Sequence, residues 1–378
     1  MSASPHSERR RARELGLGPG RFEPGRLNAI TDVAGVRVGQ VTLRAEADGP
    51  DRGPVRTGVT AIVPAEGVYA ERVMAGSFVL NGAGELMGLT QVAEWGLIET
   101  PILLTDTLSV GVVGDAVVQH VIAREPTMGR STDVVIPVVG ECDDSWMHDV
   151  RGRHVRAEHV LQALEEASSG PVAEGNVGAG TGMITCDFAG GVGTASRLVP
   201  YPHGTYTLGV LVLSNFGTRD ELTMDGLKVG QALAEYRGEA SRRTAYGSIV
   251  AVLATDAPLL PQQLDRLSKR MALGIGRVGS SAANGSGEIC LAFSTHNRVP
   301  RERKGALLTL NCLADPELNP LFQAAIETTE EAILNALCMG TDLRGIDDHF
   351  CPALPLEQLA GLRRAREQGV GSRAATER

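Results

Sequence analysis

The chain has 378 residues, 43% of them hydrophobic, enough to bury a large core in one big domain or two ordinary ones. A net charge of −9 argues against a general nucleic-acid binder, and no run of 18 apolar residues offers a membrane-spanning helix. With 46 glycines and only 4% aromatics, the composition suggests tight turns and close packing of layers.

Residues 1–26 read as a flexible arm. Met1 to Arg13 is polar and basic and lacks the apolar segment of a secretory signal, so a cytoplasmic protein is expected. The basic run Arg9-Arg10-Arg11-Ala12-Arg13 could hold an anionic partner, but a solvated tail is the commoner meaning of such a run. The fold starts at Asn28, with Val36, Val38, Val41 and Leu43 marking an early strand. Residues 45–57 form a polar loop and Val59 to Val63 a second strand. Ser77 to Leu80 leads to Asn81-Gly82-Ala83-Gly84-Glu85, after which a helix carries Leu86, Leu89, Val92 and Ala93 on one face. Pro101 to Leu104 is a buried strand, Val112 to Ala123 a packed helix, and Asp133 to Val139 a strand ending in Gly140-Glu141. A helix over Glu158 to Ala167 precedes a Gly-rich stretch at 175–193. Thr205 to Leu213 is a strand that ends in Ser214-Asn215-Phe216-Gly217.

Ile249 to Ala254 is a short apolar run rich in β-branched residues, and so a buried strand. Before it stands a polar, charged segment from Arg237 to Thr244, read as an exposed loop. Pro261 is placed to open a helix as its first residue, with Leu264, Leu267 and Met271 on its inner face. A strand at Ile289 to Phe293 and a long helix from Pro320 to Leu337 follow. Ile326, Ile333, Leu334 and Leu337 give that helix one apolar stripe. The tail from Arg363 is charged and frayed. Strands and helices mix throughout, which implies a single αβ domain over residues 27–362, with strand order left open. The six cysteines form no CxxC pair. Several sit in apolar runs as free thiols do, consistent with a reducing compartment.

The junction Tyr246-Gly247-Ser248-Ile249 is where chemistry concentrates. The ordinary meaning of a Gly-Ser pair is a bend into a strand. The sharper meaning is a self-cleavage site. If the Gly247–Ser248 bond breaks, Ser248 carries a hydroxyl nucleophile and a free α-amine on one residue. An α-amine with a pKa of about 7.7–8.0 serves as a general base near neutral pH, which a peptide nitrogen cannot do. Gly247, lacking a Cβ, tolerates strained backbone and leaves its carbonyl open to attack.

The run Gly-Ser-Ile-Val-Ala-Val-Leu-Ala-Thr-Asp-Ala-Pro-Leu-Leu-Pro at 247–261 resembles the L-aminopeptidase D-amidase/D-esterase family, which includes the β-aminopeptidases. The resemblance extends from Asn28 to about Leu354. It implies a four-layer αββα sandwich, with two central sheets flanked by helices. It also implies one chain that cuts itself before Ser248 into subunits of residues 1–247 and 248–378, and a homotetramer of the cut units. No cofactor or metal is implied.

The resemblance brings partners for Ser248. Asn284-Gly285-Ser286-Gly287-Glu288 alone is a turn cluster entering a strand. Ser286 and Glu288 stand 38 and 40 residues after Ser248, the places of a Ser and a Glu in the family. Residues two apart on an extended segment point the same way, so they can form a hydrogen-bonded pair that polarises the Ser248 hydroxyl or amine. Asn215, otherwise an Asn turn at a strand end, is implied as the oxyanion donor. Such an amide is worth about 2.7–4 kcal/mol to the transition state. Gly140-Glu141-Cys142-Asp143-Asp144-Ser145-Trp146 alone is an acidic surface loop. By resemblance Glu141 binds the substrate's free ammonium. Trp146 stands where the family usually carries Tyr, which removes a phenol hydroxyl and makes the pocket bulkier. Thr105-Asp106-Thr107-Leu108 looks pocket-related, with no contact assigned.

Other chemistries fit less well. Gly178-Ala179-Gly180-Thr181-Gly182 lacks the Lys-Ser/Thr of a P-loop and the spacing of a dinucleotide fingerprint, so Gly-rich backbone packed beside the site is the better reading. None of the eight His lies in a GxSxG or HExxH context, and His148-Asp149 reads as a surface pair. The expected activity is an N-terminal-serine aminopeptidase acting on short peptides, amides or esters, with D- or β-residues among the candidates. An acyltransferase similar to ornithine acetyltransferase shares the architecture but uses Thr as nucleophile, and Ser248 argues against it. A non-catalytic, uncut scaffold is the remaining alternative.

Overall fold

The computed structural model describes residues 9–49, 52–237, 247–302 and 305–362. The chain lays down β1 (Arg37–Ala45), β2 (Val55–Val63), β3 (Glu71–Gly82) and the short β4 (Leu86–Met87). Helix α1 (Leu89–Trp95), β5 (Leu97–Ile98), β6 (Ile102–Asp106), helix α2 (Val110–Arg124), β7 (Val138–Cys142) and helix α3 (Ala157–Glu165) follow. Two short strands, β8 (Ile184–Thr185) and β9 (Phe188–Ala189), precede the hairpin of β10 (Gly191–Tyr201) and β11 (Gly204–Asn215). Next come helix α4 (Val229–Ala232), β12 (Gly247–Thr255), helix α5 (Pro261–Val278), β13 (Ser286–Pro300) and helix α6 (Asn319–Met339). A small ladder of β14 (Leu343–Arg344) and β15 (Phe350–Cys351) lies beyond.

The strands form a five-stranded sheet, β1-β2-β6-β7-β4, and a six-stranded sheet, β10-β11-β12-β13-β3-β5. Alternation sorts their side chains into three layers. Val250, Val252 and Ala254 of β12 and Leu211 and Leu213 of β11 meet Ile62, Ile102, Leu104 and Val138 of the other sheet in a core between the two. Ile249, Ala251 and Leu253 face the opposite way, onto Leu264, Leu267 and Met271 of α5 and Ile333 and Leu337 of α6. On the far side, Val59, Leu103 and Val139 pack against Val113 and Val117 of α2 and Val160 and Leu164 of α3. This is the expected αββα sandwich. Each such buried side chain contributes roughly 1.5–3 kcal/mol relative to exposure. Pro261 opens α5 as its first residue, as read from the sequence.

Several expectations are corrected. Residues 9–26 pack onto the body, although the sequence suggested a flexible arm. Ala12 and Leu15 are buried, the Ala12 amide donates to Asn335 Oδ1 at 3.0 Å, and Arg9, Arg11 and Arg13 of the basic run are spent on contacts within the molecule, while Arg10 stays exposed. Arg11 pairs with Glu174 at 2.7 Å and Arg13 with Glu331 at 2.8 Å. Helix α6 is buried nearly all round and does not rest on one stripe. Its carboxylates Glu327 and Glu331 turn inward to the fully buried Arg197, which reaches Glu331 Oε2 at 2.6 Å and Glu327 Oε2 at 3.6 Å. Gly193 permits the close approach of α6 to β10, since a Cβ there would collide with the Ala332 carbonyl. The helix after Glu85 starts only at Leu89, because Leu86 belongs to β4 and pairs with Gly140. Strand β2 begins at Val55, within the segment read as a loop, and β7 only at Val138. Residues 238–246, read as an exposed loop, and the tail from Arg363 lie outside the described residues.

Candidate active site

The end of β11 and the starts of β12 and β13 meet at one end of the central strands of the six-stranded sheet. Asn215, the last residue of β11, stands opposite Ser248 in an antiparallel ladder. Strand β13 runs parallel to β12, with Gly247 beside Ser286, Ser248 beside Gly287 and Ile249 beside Glu288. Three stretches far apart in sequence thus converge on the Gly247–Ser248 peptide. Ser248 is only 5% exposed. No other residue fits at 247: a Cβ would collide with the Asn215 carbonyl oxygen.

Ser286 and Glu288 form the expected pair. The Ser286 hydroxyl donates to Glu288 Oε1 at 2.5 Å, and Ser280 Oγ approaches the same oxygen at 3.4 Å. Glu288 is fully buried, and its Oε2 has no hydrogen-bond partner. Burial raises its pKa above the ordinary value, against the pull of the Ser286 and Ser280 hydroxyls. Alternation fixes the faces. Ser248 shares its face with Val250 and points between the sheets, whereas Glu288 shares its face with Cys290 on the α5 side. The pair therefore lies across the strand from the Ser248 hydroxyl, alongside the Gly247–Ser248 backbone.

Asn215 is 1% exposed and held at both ends. Its Oδ1 accepts from the Ile184 amide at 2.9 Å, and its Nδ2 donates to the Asp143 carbonyl at 2.8 Å. These bonds fix which end of the amide is which and leave one N–H hydrogen uncommitted. Ile184 belongs to the Gly-rich stretch, which packs beside the site as expected: Gly182 lies so close to Arg56 and Asp144 that a Cβ would strike them.

Glu141 is buried, not on a surface loop. Its Oε1 accepts from the Glu85 amide at 2.8 Å, and its Oε2 from the Thr107 hydroxyl. Burial raises its pKa first, with Asp143 and Asp106 adding to the rise against those hydrogen bonds. Gly84 bridges the two halves of the site, its α-carbon facing both Glu141 Oε1 and Gly287. Asp144 is fully buried as well, and desolvation holds its carboxyl well above the usual carboxylate range. Trp146 packs against the cluster of Met147, Ile184 and Leu343. Its ring stacks on His349 with centroids 3.6 Å apart, and its carbonyl accepts from His349 Nδ1 at 2.7 Å. His148 is no surface residue: it is 2% exposed, its Nδ1 accepts from the Arg56 amide, and burial lowers its pKa to about 4. Asp149 approaches His154 instead, at 3.5 Å.

The fold thus gathers Asn215, Ser248, Ser286 and Glu288 at the ends of three adjoining strands, with Glu141 reached through Gly84 and Trp146 packed on the cluster that contains Ile184, whose amide holds Asn215. Sequence reading missed Ser280 and gave Thr107 no partner. The only available signal was their position in polar turns beside singled-out motifs. Among the described residues, no group of three His, Cys, Asp or Glu is arranged to hold a metal ion.

The sequence profile of peptidase family S58 matches residues 28–351, most of the chain. The chain belongs to peptidase family S58. Among S58 relatives, the β-peptidyl aminopeptidase BapA of Sphingosinicella microcystinivorans is 42% identical over 382 residues, covering 96% of this chain and 94% of that one. Two solved structures superpose closely. The PH0078 protein of Pyrococcus horikoshii OT3 has a TM-score of 0.90 at 45% identity, covering 95% of this chain and 99% of that one. The L-aminopeptidase D-Ala-esterase/amidase of Ochrobactrum anthropi, described as a prototype serine aminopeptidase with a variant Ntn-hydrolase fold, has a TM-score of 0.88 at 39% identity, covering 94% and 99%. As an S58 member of this fold, the chain is a hydrolase of the aminopeptidase kind.

Proposed function

We propose that this S58 peptidase cuts its own Gly247–Ser248 bond and then works as an N-terminal-serine aminopeptidase. Its substrates are short peptides, amides or esters with a free amino terminus, with β- or D-residues at the first position. In maturation, Ser248 Oγ attacks the Gly247 carbonyl carbon. The C–N bond breaks, the nitrogen takes up the proton, and water hydrolyses the resulting ester. In turnover, the Ser248 hydroxyl passes its proton to its own α-amine and attacks the carbonyl of the substrate's first residue. The Asn215 amide donates to the oxyanion, the leaving amine takes the proton, and water releases the acyl group. Glu141 receives the substrate ammonium.

The observation that carries this reading is the Ser286–Glu288 pair alongside the Gly247–Ser248 backbone, with Glu288 Oε2 buried and unbonded. Such an oxygen suits a new ammonium at Ser248 better than it suits the hydroxyl on the opposite face. The substrate class is supported by the relatives, one named for β-peptides and another for D-alanine esters and amides. The test is the intact mass of the purified chain beside Ser248→Ala. The wild type is expected as two fragments, the second being residues 248–378, and the variant as one inert species. A folded wild type that stays whole, or a Ser248→Ala chain that is both cut and active, would sink the proposal. Native mass of the cut protein reads the homotetramer that family membership leads us to expect.

A further inference from the structure

We infer that Cys142 positions the Ser248 hydroxyl for attack, an inference that rests on the function proposed above. Cys142 closes β7 in one sheet, and Ser248 stands at the head of β12 in the other. Both side chains point into the space between the sheets: Cys142 lies in the inter-sheet core, and Ser248 shares its face with Val250 and Val252. There the Cys142 thiol donates to the Leu213 carbonyl at 3.5 Å, and Leu213 stands opposite Val250 on the neighbouring strand. Strand β7 packs on β12 at this point, which sets the sulfur beside the Ser248 side chain and the Val250 amide.

A thiol has one hydrogen. With that hydrogen given to Leu213, the sulfur is the acceptor toward its other neighbours. The Ser248 hydroxyl then donates to it and keeps both oxygen lone pairs free for a carbonyl carbon. A weak acceptor suits this task, since it sets the direction of the hydroxyl without gripping its proton. Cys142 is fully buried, and desolvation pushes its pKa well up, so it stays an uncharged thiol and does not compete as a nucleophile. Neighbouring residues of one strand end thus serve two tasks through alternation: Glu141 faces the ammonium site and Cys142 the nucleophile.

The experiment compares the full chain with Cys142→Ala and Cys142→Ser. Self-cleavage is followed by intact mass over time, turnover with β-alanyl p-nitroanilide, and folding by thermal melting. Cys142→Ala is expected to slow cleavage and lower kcat by about tenfold, the loss of one net hydrogen bond, with KM unchanged. Serine supplies one donor and two acceptor lone pairs in nearly the same volume, so Cys142→Ser is expected to restore both rates to within about threefold of wild type. A mere packing role predicts otherwise, because serine buries a hydroxyl where sulfur sat and would do no better than alanine. Wild-type rates in Cys142→Ala would overturn the inference. So would a folded Cys142→Ser no faster than alanine or, if the alanine variant does not fold, tenfold slower than wild type. A wild type that itself stays whole and inactive would overturn the parent function, and this inference with it. A wild type that cuts at the same rate as Cys142→Ala overturns this inference alone.

Discussion

Under the proposed function, Glu288 tunes the pH dependence. Its carboxyl is raised above the ordinary 4.5, chiefly by burial. To hold the Ser248 ammonium it must be ionised. In the uncut chain Glu288 therefore protonates above the ordinary range, whereas an ammonium on Ser248 beside it would favour the carboxylate. The acid limb of kcat/KM is then expected from protonation of the α-amine base, whose ordinary pKa is about 7.7–8.0. Glu288→Gln removes the anionic partner of that amine, so it should move the limb to lower pH and cost roughly ten- to a hundredfold in kcat, the worth of a charge-assisted hydrogen bond. A pH–rate profile checks both, and a limb that stays in place in Glu288→Gln would mean that the two groups do not interact. At this scale the sequence was informative about identity and poor about direction. The spacing of Ser248, Ser286 and Glu288 marks the set, and the two-residue step correctly puts Ser286 and Glu288 on one face. Which face that is depends on the register between β12 and β13, a pairing of residues 39 apart that periodicity does not encode.

Among the elements, α6 shows where pattern reading runs out. Its apolar residues predict a helix and give nearly its true span. Glu327 and Glu331 look like a solvated face, and only the fold reveals Arg197 on β10 and Arg13 beneath them. A charge is the same letter whether water or a guanidinium surrounds it. The short strands β4 and β5 were invisible for another reason: two residues carry no period, and they exist only because β7 and β3 offer them ladders. The network sets a clear expectation. Arg197→Ala leaves buried Glu327 without its cation and Glu331 with Arg13 alone, and should cost about 3–5 kcal/mol of stability. Chemical denaturation of an uncut Ser248→Ala background measures this. A loss under about 1 kcal/mol would mean that water reaches the site and takes over the arginine's role.

On the scale of the whole molecule, the interleaving of strands decides what cleavage can do. In the proposed cut β12 and β13 fall in the C-terminal piece, yet they lie between β11 and β3 of the N-terminal piece. The segment at residues 9–22 also reaches across to α6 through Arg13 and through the Arg21 and Phe22 amides on Glu327. The two pieces should therefore co-elute as one particle under native conditions and part only in denaturant. Elution of residues 248–378 alone from the native protein would contradict the sheet order.

Arg9 has a consequence of its own. Its guanidinium holds the Leu354 carbonyl at 2.9 Å, so the two ends of the described fold come close together. Adjacent ends permit circular permutation. A gene rewired to join the region after residue 362 to the region before residue 9, and to open at Ser248 behind a removable methionine, would encode an enzyme born with its catalytic amine. If such a chain is active without self-cleavage, the proposed cut is a matter of biosynthesis and not of architecture.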